Sequence, residues 1–362
     1  MSLRKHPLVK AAALPIKRAY RIYDVYKYHR NQGNQARTIY ANIVSRDPSR
    51  ALTPAQLSDM DDYAHETYGD IRYAPWLVTY AAVRREFKPG CIPDNYVGIY
   101  MLKHLIGEWK PKLGRIHQRR VLDSPLFPEI LRCENGRLLR PDDSEIAPDA
   151  LNKEVFADGE HVFLKLANTG QGRGVRQLSR SDFHADMLPM EQDFVIQRAL
   201  RQDPDLDRFN VGAASTVRIT TVMKNGRAES REAHIRFVQS GFSHVVAGGA
   251  VAVSIDCKSG AFFPIGIKSG WTLIDRHPNT GERFLGNTLP HLEAMKTQCE
   301  ALHEKVPQVG WLGWDICPMA NGEFAIMEVN AGHSDIKFGE AFGGPYFADL
   351  GWDKLHKQHS IF

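Results

Sequence analysis

"GWDICPMANGEFAIMEVN", residues 313 to 330, is an apolar segment in which Asp315, Glu328 and Asn330 interrupt what otherwise reads as buried strand. Asn321-Gly322 is a strong hairpin signal, because both central positions of a type I′ turn need φ > 0. With those two residues at the turn, Ala320 faces Glu323, Pro318 faces Ala325, Ile316 faces Met327 and Asp315 faces Glu328. Side chains alternate faces along a strand, so Asn330 shares the face of Glu328 and stands opposite Gly313, which has no side chain. Two carboxylates directly opposite each other repel. Three arrangements relieve this: a neighbouring Lys or Arg, a register differing by one residue, or a hard divalent cation. Mg²⁺ prefers one or two carboxylates, an amide oxygen, waters and a substrate's phosphates, so the choice turns on whether the chain also holds a phosphate site.

At 362 residues the chain has room for two or three domains. Its 43% apolar and 24% charged residues are an ordinary globular mixture. The cysteines at 91, 133, 257, 299 and 317 show no CxxC or zinc-like spacing, which fits reduced thiols in a cytoplasmic setting. No apolar run approaches the ~18 residues of a spanning helix, and Lys10 and Pro15 interrupt the only stretch a signal peptide could use. Charge is uneven: residues 1 to 50 carry 11 Lys/Arg against two Asp, leaving 35 against 40 in the remainder. After Pro15, the positions Ile16, Ala19, Tyr20, Tyr23 and Tyr26 recur at helical spacing, with Lys17, Arg18, Arg21 and Lys27 on other faces. Such a helix can pack on its own domain with a solvated basic face, or touch an anionic membrane or an acidic partner from the cytoplasmic side. No nucleic-acid partner is expected.

The first ~110 residues look mostly helical; Thr53-Pro54-Ala55-Gln56 has the form of a capping box, and Gly69 is a natural stop. From about residue 112 strands mix with helices. "EHVFLKLANTGQGRGV" (160 to 175) runs from an apolar strand into a loop with Gly170, Gly172 and Gly174, and "ASTVRITTVMKNGRA" (214 to 228) reads as two strands joined across Asn225-Gly226. A helix is expected from about His291 to Lys305. The pattern is α+β rather than a regular βαβ alternation. Three segments follow: 1–110, mostly helical; 111–200, a lid and nucleotide subdomain; and 201–362, a catalytic, metal-binding subdomain.

Lys165 lies on the strand just ahead of the glycine loop. Glycines let backbone N–H groups turn toward an anion, and a lysine beside them adds a point charge, so the pair suits a polyphosphate. The loop is neither a Walker A motif nor GxGxxG.

A Lys-plus-glycine cradle followed about 150 residues later by Asp315, Glu328 and Asn330 resembles the ATP-grasp superfamily. "STVRITT", "RHPNTGERFLGNTLP" and "LGWDICPMANGEFAIMEVNAG" together are similar to its sugar-transfer-associated subgroup, over roughly residues 70 to 345. The resemblance implies an ATP-grasp fold, two α+β subdomains gripping ATP. It implies Lys165 on the α- and β-phosphates and the loop carrying Thr169, Gly170, Gly172 and Gly174 closing over the triphosphate. Gln197, Arg198 and Leu200 would meet the adenine edge, Asp203 (or Asp205) the ribose, and Arg218 the transferred phosphoryl. Asp315, Glu328 and Asn330 would bind one or two Mg²⁺ ions. The chain departs from the superfamily in lacking an earlier lysine, in whose place it offers Arg119 or Arg120. His277 and His333 fall near the expected site. The activity implied is ATP-dependent joining of a small carboxylic acid to an amine or thiol through an acyl phosphate. Phosphoryl transfer to a hydroxyl, or a non-catalytic membrane-proximal scaffold with a vestigial nucleotide site, are the competing readings.

Overall fold

The computed structural model describes residues 7–170, 172–242 and 248–358, and the backbone but not the side chains of 7–18 and Asn321. Ile16, Lys17, Arg18 and Gln171 therefore lie outside the described side chains. The chain forms two compact units: residues 1–104 together with 340–362, and residues 105–339. The C-terminal 23 residues thus belong with the helical head, whereas the sequence reading ran the last segment through to 362.

The first unit is helical. Helices α1 (Pro7–Arg46), α2 (Pro54–Tyr68) and α3 (Ala74–Arg84) bury Ala36, Ile39, Met60, Ala64, Trp76 and Tyr80. The expected capping box starts α2: the Thr53 hydroxyl accepts the Gln56 N–H, the Gln56 side chain accepts the Thr53 N–H, and Gly69 ends the helix at φ +76°. That φ suits a residue without Cβ. Where the returning C-terminus meets these helices, Glu340 is fully buried and accepts the N–H groups of Ile92 (2.8 Å) and Tyr346 (2.9 Å). Burial pushes its carboxyl up to about 7 despite those bonds.

The second unit holds two antiparallel sheets. The smaller has strand order β2-β1-β5-β3-β4, from β1 (Glu129–Glu134), β2 (Arg137–Leu139), β3 (His161–Leu166), β4 (Val175–Ser179) and β5 (Phe194–Arg198). Leu131, Val162, Leu164, Phe194 and Ile196 form its core with Leu151, Val155 and Phe156. The larger runs β10-β9-β8-β7-β6-β11-β12, from β6 (Thr216–Lys224), β7 (Arg227–Val238), β8 (Ala250–Ile255), β9 (Gly266–Lys268), β10 (Thr272–Ile274), β11 (Trp311–Pro318) and β12 (Phe324–Asn330). The β6–β7 turn is the one expected, with Asn225 at φ +52° and Gly226 at φ +80°.

Helix α4 (Leu292–His303) covers one face of the larger sheet. On that face Thr221 accepts the Trp314 indole N–H at 2.7 Å and bonds His303 Nδ1 at 2.7 Å, while His303 Nε2 bonds the Val309 carbonyl. Period-two alternation then forces the neighbours Asp315, Arg218 and Thr220 onto the opposite face. The site is the polar side of a sheet whose apolar side is sealed by a helix.

The β11–β12 hairpin pairs Asp315 with Glu328 and Gly313 with Asn330, as expected, but by another route. Its turn has three residues, Ala320–Gly322, closing Met319 onto Glu323 and ending with Gly322 at φ +78°. Nearer the turn the pairs are Pro318 with Phe324, Cys317 with Ala325 and Ile316 with Ile326. A bulge at Met327 absorbs the extra residue and restores the register at the acids. The position opposite Asn330 is not open space: a Cβ on Gly313 would meet the Ser334 Cβ at 2.6 Å and Arg218 atoms at 3.2 Å. Gly313→Ala should therefore cost about 1–3 kcal/mol through overpacking and push Arg218 off Asp315. Thermal denaturation should show Tm lowered by several degrees; an unchanged Tm would mean the strand pair opens freely.

Candidate functional site

A row of polar side chains crosses five strands at one level. Glu328 on β12 pairs with Asp315 on β11, Asp315 with Arg218 on β6, Arg218 with His234 on β7, and His234 with Ser254 on β8. Partners in an antiparallel pair share a face, so all five point the same way. The repulsion between the two acids is relieved by separate arginines. Arg218 donates from Nε to Asp315 Oδ1 at 2.7 Å and from Nη2 to Oδ2 at 3.0 Å, a bidentate pair, and from Nη1 to the Ser334 carbonyl at 2.9 Å. Asn330 Nδ2 also donates to Asp315 Oδ2, at 3.0 Å. Burial alone would raise the Asp315 carboxyl, but the Arg218 guanidinium overrides it and holds the group below the usual carboxylate range.

Glu328 is served by Arg115, whose Nη2 lies 3.2 Å from both its oxygens. Arg115 also donates from Nη1 to the Leu166 carbonyl and, at 3.2 Å, to the Thr169 hydroxyl. One buried guanidinium thus ties the acidic hairpin to the first residues of the glycine loop. The sequence pointed to Arg119 or Arg120 for an extra cation. Arg119 instead donates to the Phe127 and Glu129 carbonyls, and Arg120 faces Glu134 and Asp143. Arg115, in "LGRIH", belongs to no motif, and only its place in the fold reveals it.

Lys165 extends from β3, is 8% exposed, and feels the charges of Glu328, Arg115 and Asp315. Burial lowers its ammonium to about 8, although the two acids pull the other way. The glycine loop turns at Gly172 (φ +78°) and Gly174 (φ +72°); the latter closes against the Thr169 side chain, so a Cβ there would collide with it. Gly170 has open space around it. The structure therefore brings together Lys165, Thr169, Arg218, Asp315, Glu328 and Asn330.

The other expected positions divide. Gln197 is buried on β5, and its Nε2 donates to the carbonyl of the bulged Met327 at 3.1 Å, joining the two sheets. Arg198 at the strand end is exposed and Leu200 just beyond it is half-buried. Asp203 is buried and committed to a local cap: its side chain accepts the Asp205 N–H at 2.9 Å, and its own N–H donates to the Pro318 carbonyl. His277 is a fully buried turn residue whose ring packs against Phe237, on the opposite face of β7 from His234. His333 stands close enough to Asp335 for its charge to be felt.

Several polar groups on the same face carry no motif. Glu232 accepts the Thr220 hydroxyl at 2.9 Å and faces His234 Nδ1 at 2.6 Å, and all three are fully buried. Arg236 pairs with Asp335 at 3.0 Å, and Lys337 reaches the same carboxylate at 3.3 Å. The segment 331–339 lies over this face: Ser334 bonds Arg218, Phe338 packs on His234, and Gly339 fits against Glu232.

Residues 185–343 match the family model described as sugar-transfer associated ATP-grasp. This segment is a sugar-transfer-associated ATP-grasp domain. It contains Arg218 and the Asp315–Glu328–Asn330 set, while Lys165 and the glycine loop precede the matched stretch. The matched segment carries strands β6 to β12, the whole of the larger sheet. Among solved structures it is similar to the ATP-grasp ligase PsnB in complex with minimal precursor, Mg and ADP, at 14% identity and TM-score 0.38, covering 70% of this chain and 61% of that one. It is also similar to D-alanyl-alanine synthetase A from Vibrio cholerae, at 15% identity and TM-score 0.38, covering 73% and 67%. A third is purK, an N5-carboxyaminoimidazole ribonucleotide synthetase in its ADP complex, at 11% identity and TM-score 0.37, covering 61% and 45%. This chain therefore spans about three fifths of the PsnB chain. No curated protein matches it by sequence.

Proposed function

We propose that the domain is an ATP-dependent ligase that activates a small carboxylic acid as an acyl phosphate and passes the acyl group to an amine or thiol. The observation that carries this reading is the pair of facing carboxylates, Asp315 and Glu328, each held by its own arginine and set toward Lys165. A site that gathers three cations around two acids is built for a ligand with several negative charges and a counter-ion of its own.

Among the described residues no group of three or more His, Cys, Asp or Glu side chains is gathered as a metal cage. The donor set is instead two carboxylates and an amide whose nitrogen is turned to Asp315, leaving its oxygen as an acceptor. That set fits Mg²⁺, which completes its shell with phosphate oxygens and water. Asp315, Glu328 and Asn330 would hold it, and when bound it would neutralise charge on the β- and γ-phosphates.

The chain's own residues do the rest. Lys165 neutralises the inner phosphates, and Thr169 to Gly174 close over them and exclude water. Arg218, freed from Asp315 once the phosphates arrive, steadies the γ-phosphoryl as an acid's carboxylate oxygen attacks phosphorus and the bond to the bridging oxygen breaks, releasing ADP. The nucleophile then attacks the acyl carbon, phosphate leaves, and one proton is lost from the attacking atom. The segments read as lid (111–200) and catalytic (201–362) correspond to these two roles up to residue 339.

ADP release should require both an acid and a nucleophile, and hydroxylamine should convert the activated acid to a hydroxamate. Screening pools of acids and amines by ADP release tests this. Phosphate retained on a hydroxyl product would replace the ligase reading with a phosphotransferase. No ADP from any pool, with ATP still bound, would leave a nucleotide-binding scaffold.

A further inference from the structure

In the helical unit a cavity of about 770 Å³ opens between α1 and the turn that follows α2. Its wall is built from Tyr23 and Tyr26 of α1 with Tyr68, Tyr73 and Tyr100, and Arg72 and Lys357 stand at its rim. Eight large apolar side chains are exposed among the described residues, and five of them sit on or beside this opening. Ile22, Tyr23 and Tyr26 line it, Tyr20 adjoins the lining residue Ala19, and Ile71 lies between the lining residues Asp70 and Arg72. Tyr20, Tyr23 and Tyr26 are 67%, 60% and 53% exposed, far beyond what packing within the unit requires.

Spaced three apart, these tyrosines share one face of α1, and Lys27 and Arg30 fall on the same face, whereas Arg21 points to the other side of the helix. Lys27 and Arg30 are exposed; the nearest acids are Asp24, just beyond the Tyr20 edge, and Asp70 of the cavity wall, which is paired with Arg72. Tyrosine has an apolar ring and a hydroxyl that favours water, and it concentrates where hydrocarbon meets head groups; lysine and arginine beside it bury their stems and keep their charge outward. A face dominated by tyrosine, isoleucine and basic residues, concave at its centre, matches the head-group layer of an anionic bilayer. A soluble acidic partner would not call for so much apolar surface.

We propose that the face of α1 built from Tyr20, Tyr23, Tyr26, Lys27 and Arg30, together with the tyrosine-walled cavity beneath it, docks the protein on an anionic lipid surface. The contact is peripheral, for no helix among the described residues is long and apolar enough to cross a membrane. It is independent of the ligase reading.

The test is co-sedimentation of the full chain with phosphatidylcholine vesicles containing about 30% phosphatidylglycerol, against phosphatidylcholine alone. The expected result is binding at least tenfold tighter to the anionic vesicles, weakened by salt as the Debye length shortens. Neutralising Lys27 and Arg30 to Gln should cost about fivefold per residue. Tyr20→Ser with Tyr23→Ser and Tyr26→Ser should cost at least tenfold while circular dichroism and ATP binding stay unchanged. Equal binding to both vesicle types, full binding by the tyrosine variant, or a protein that stays in solution at low salt each overturns the proposal.

Discussion

Glu328→Gln should fold normally and release no measurable ADP, and Asp315→Asn should lose the same activity while also losing stability. The difference follows from burial. Arg115 is 5% exposed, but Glu328 is 28% exposed and meets it through one nitrogen at 3.2 Å, so solvent shares the loss of its charge and the cost should be about 1–2 kcal/mol. Arg218 is 4% exposed and bonded to Asp315 through two nitrogens, so the neutral amide leaves a buried guanidinium without its counter-charge, at a cost of about 3–5 kcal/mol. Thermal denaturation beside an ADP-release assay separates the two effects. A double variant, Asp315→Asn with Arg218→Met, removes both halves of the pair and should recover much of the Tm with no return of turnover. Full activity in both single variants would mean the acids have no part in the chemistry.

The pairing of Asp315 with Glu328 was legible because two departures cancel. A two-residue turn at Asn321-Gly322 and an unbroken ladder give the same partners as a three-residue turn followed by a bulge at Met327. Sequence constrains the parity of a hairpin, since a slip of one would have sent Glu328 to the face sealed by α4. The Asn225-Gly226 turn and the α2 capping box were readable because their signals are local and chemically forced. Arg115, Glu232, His234 and Arg236 were not, since nothing within a few residues of them announces a role. They matter through strand order, which sets the β6–β7 hairpin beside β11 from far along the chain. The return of residues 340–362 to the helical unit was equally hidden, because it depends on the burial of Glu340 beside residues near position 92.

Lys165→Met should make the protein more stable at pH 7 and unable to hold ATP. A lysine 8% exposed whose ammonium is lowered to about 8 from an ordinary 10.5 is charged at pH 7 against the preference of its surroundings. That difference corresponds to up to ~3 kcal/mol of destabilisation, which a methionine of similar length removes. The sign can be checked by pH. The unfolded chain keeps this proton up to about 10.5 and the folded chain only to about 8, so wild-type stability rises as pH climbs between those values. The advantage of Lys165→Met in Tm should therefore be full below about pH 8 and shrink by pH 10. The same titration governs the nucleotide: with the ammonium form required for binding, ATP affinity of the wild type should fall about tenfold between pH 7 and 9, as the charged fraction falls from roughly nine tenths to one tenth. Isothermal titration at the two pH values reads this directly, and Lys165→Arg should abolish the pH dependence, because a guanidinium stays charged throughout. An ATP affinity that is flat with pH in the wild type, or a Lys165→Met variant that binds ATP normally, would place the phosphates elsewhere. A buried charge that destabilises the empty protein and is neutralised by the incoming polyphosphate is how a site stays selective for that ligand: the stability given up by the fold reappears as affinity.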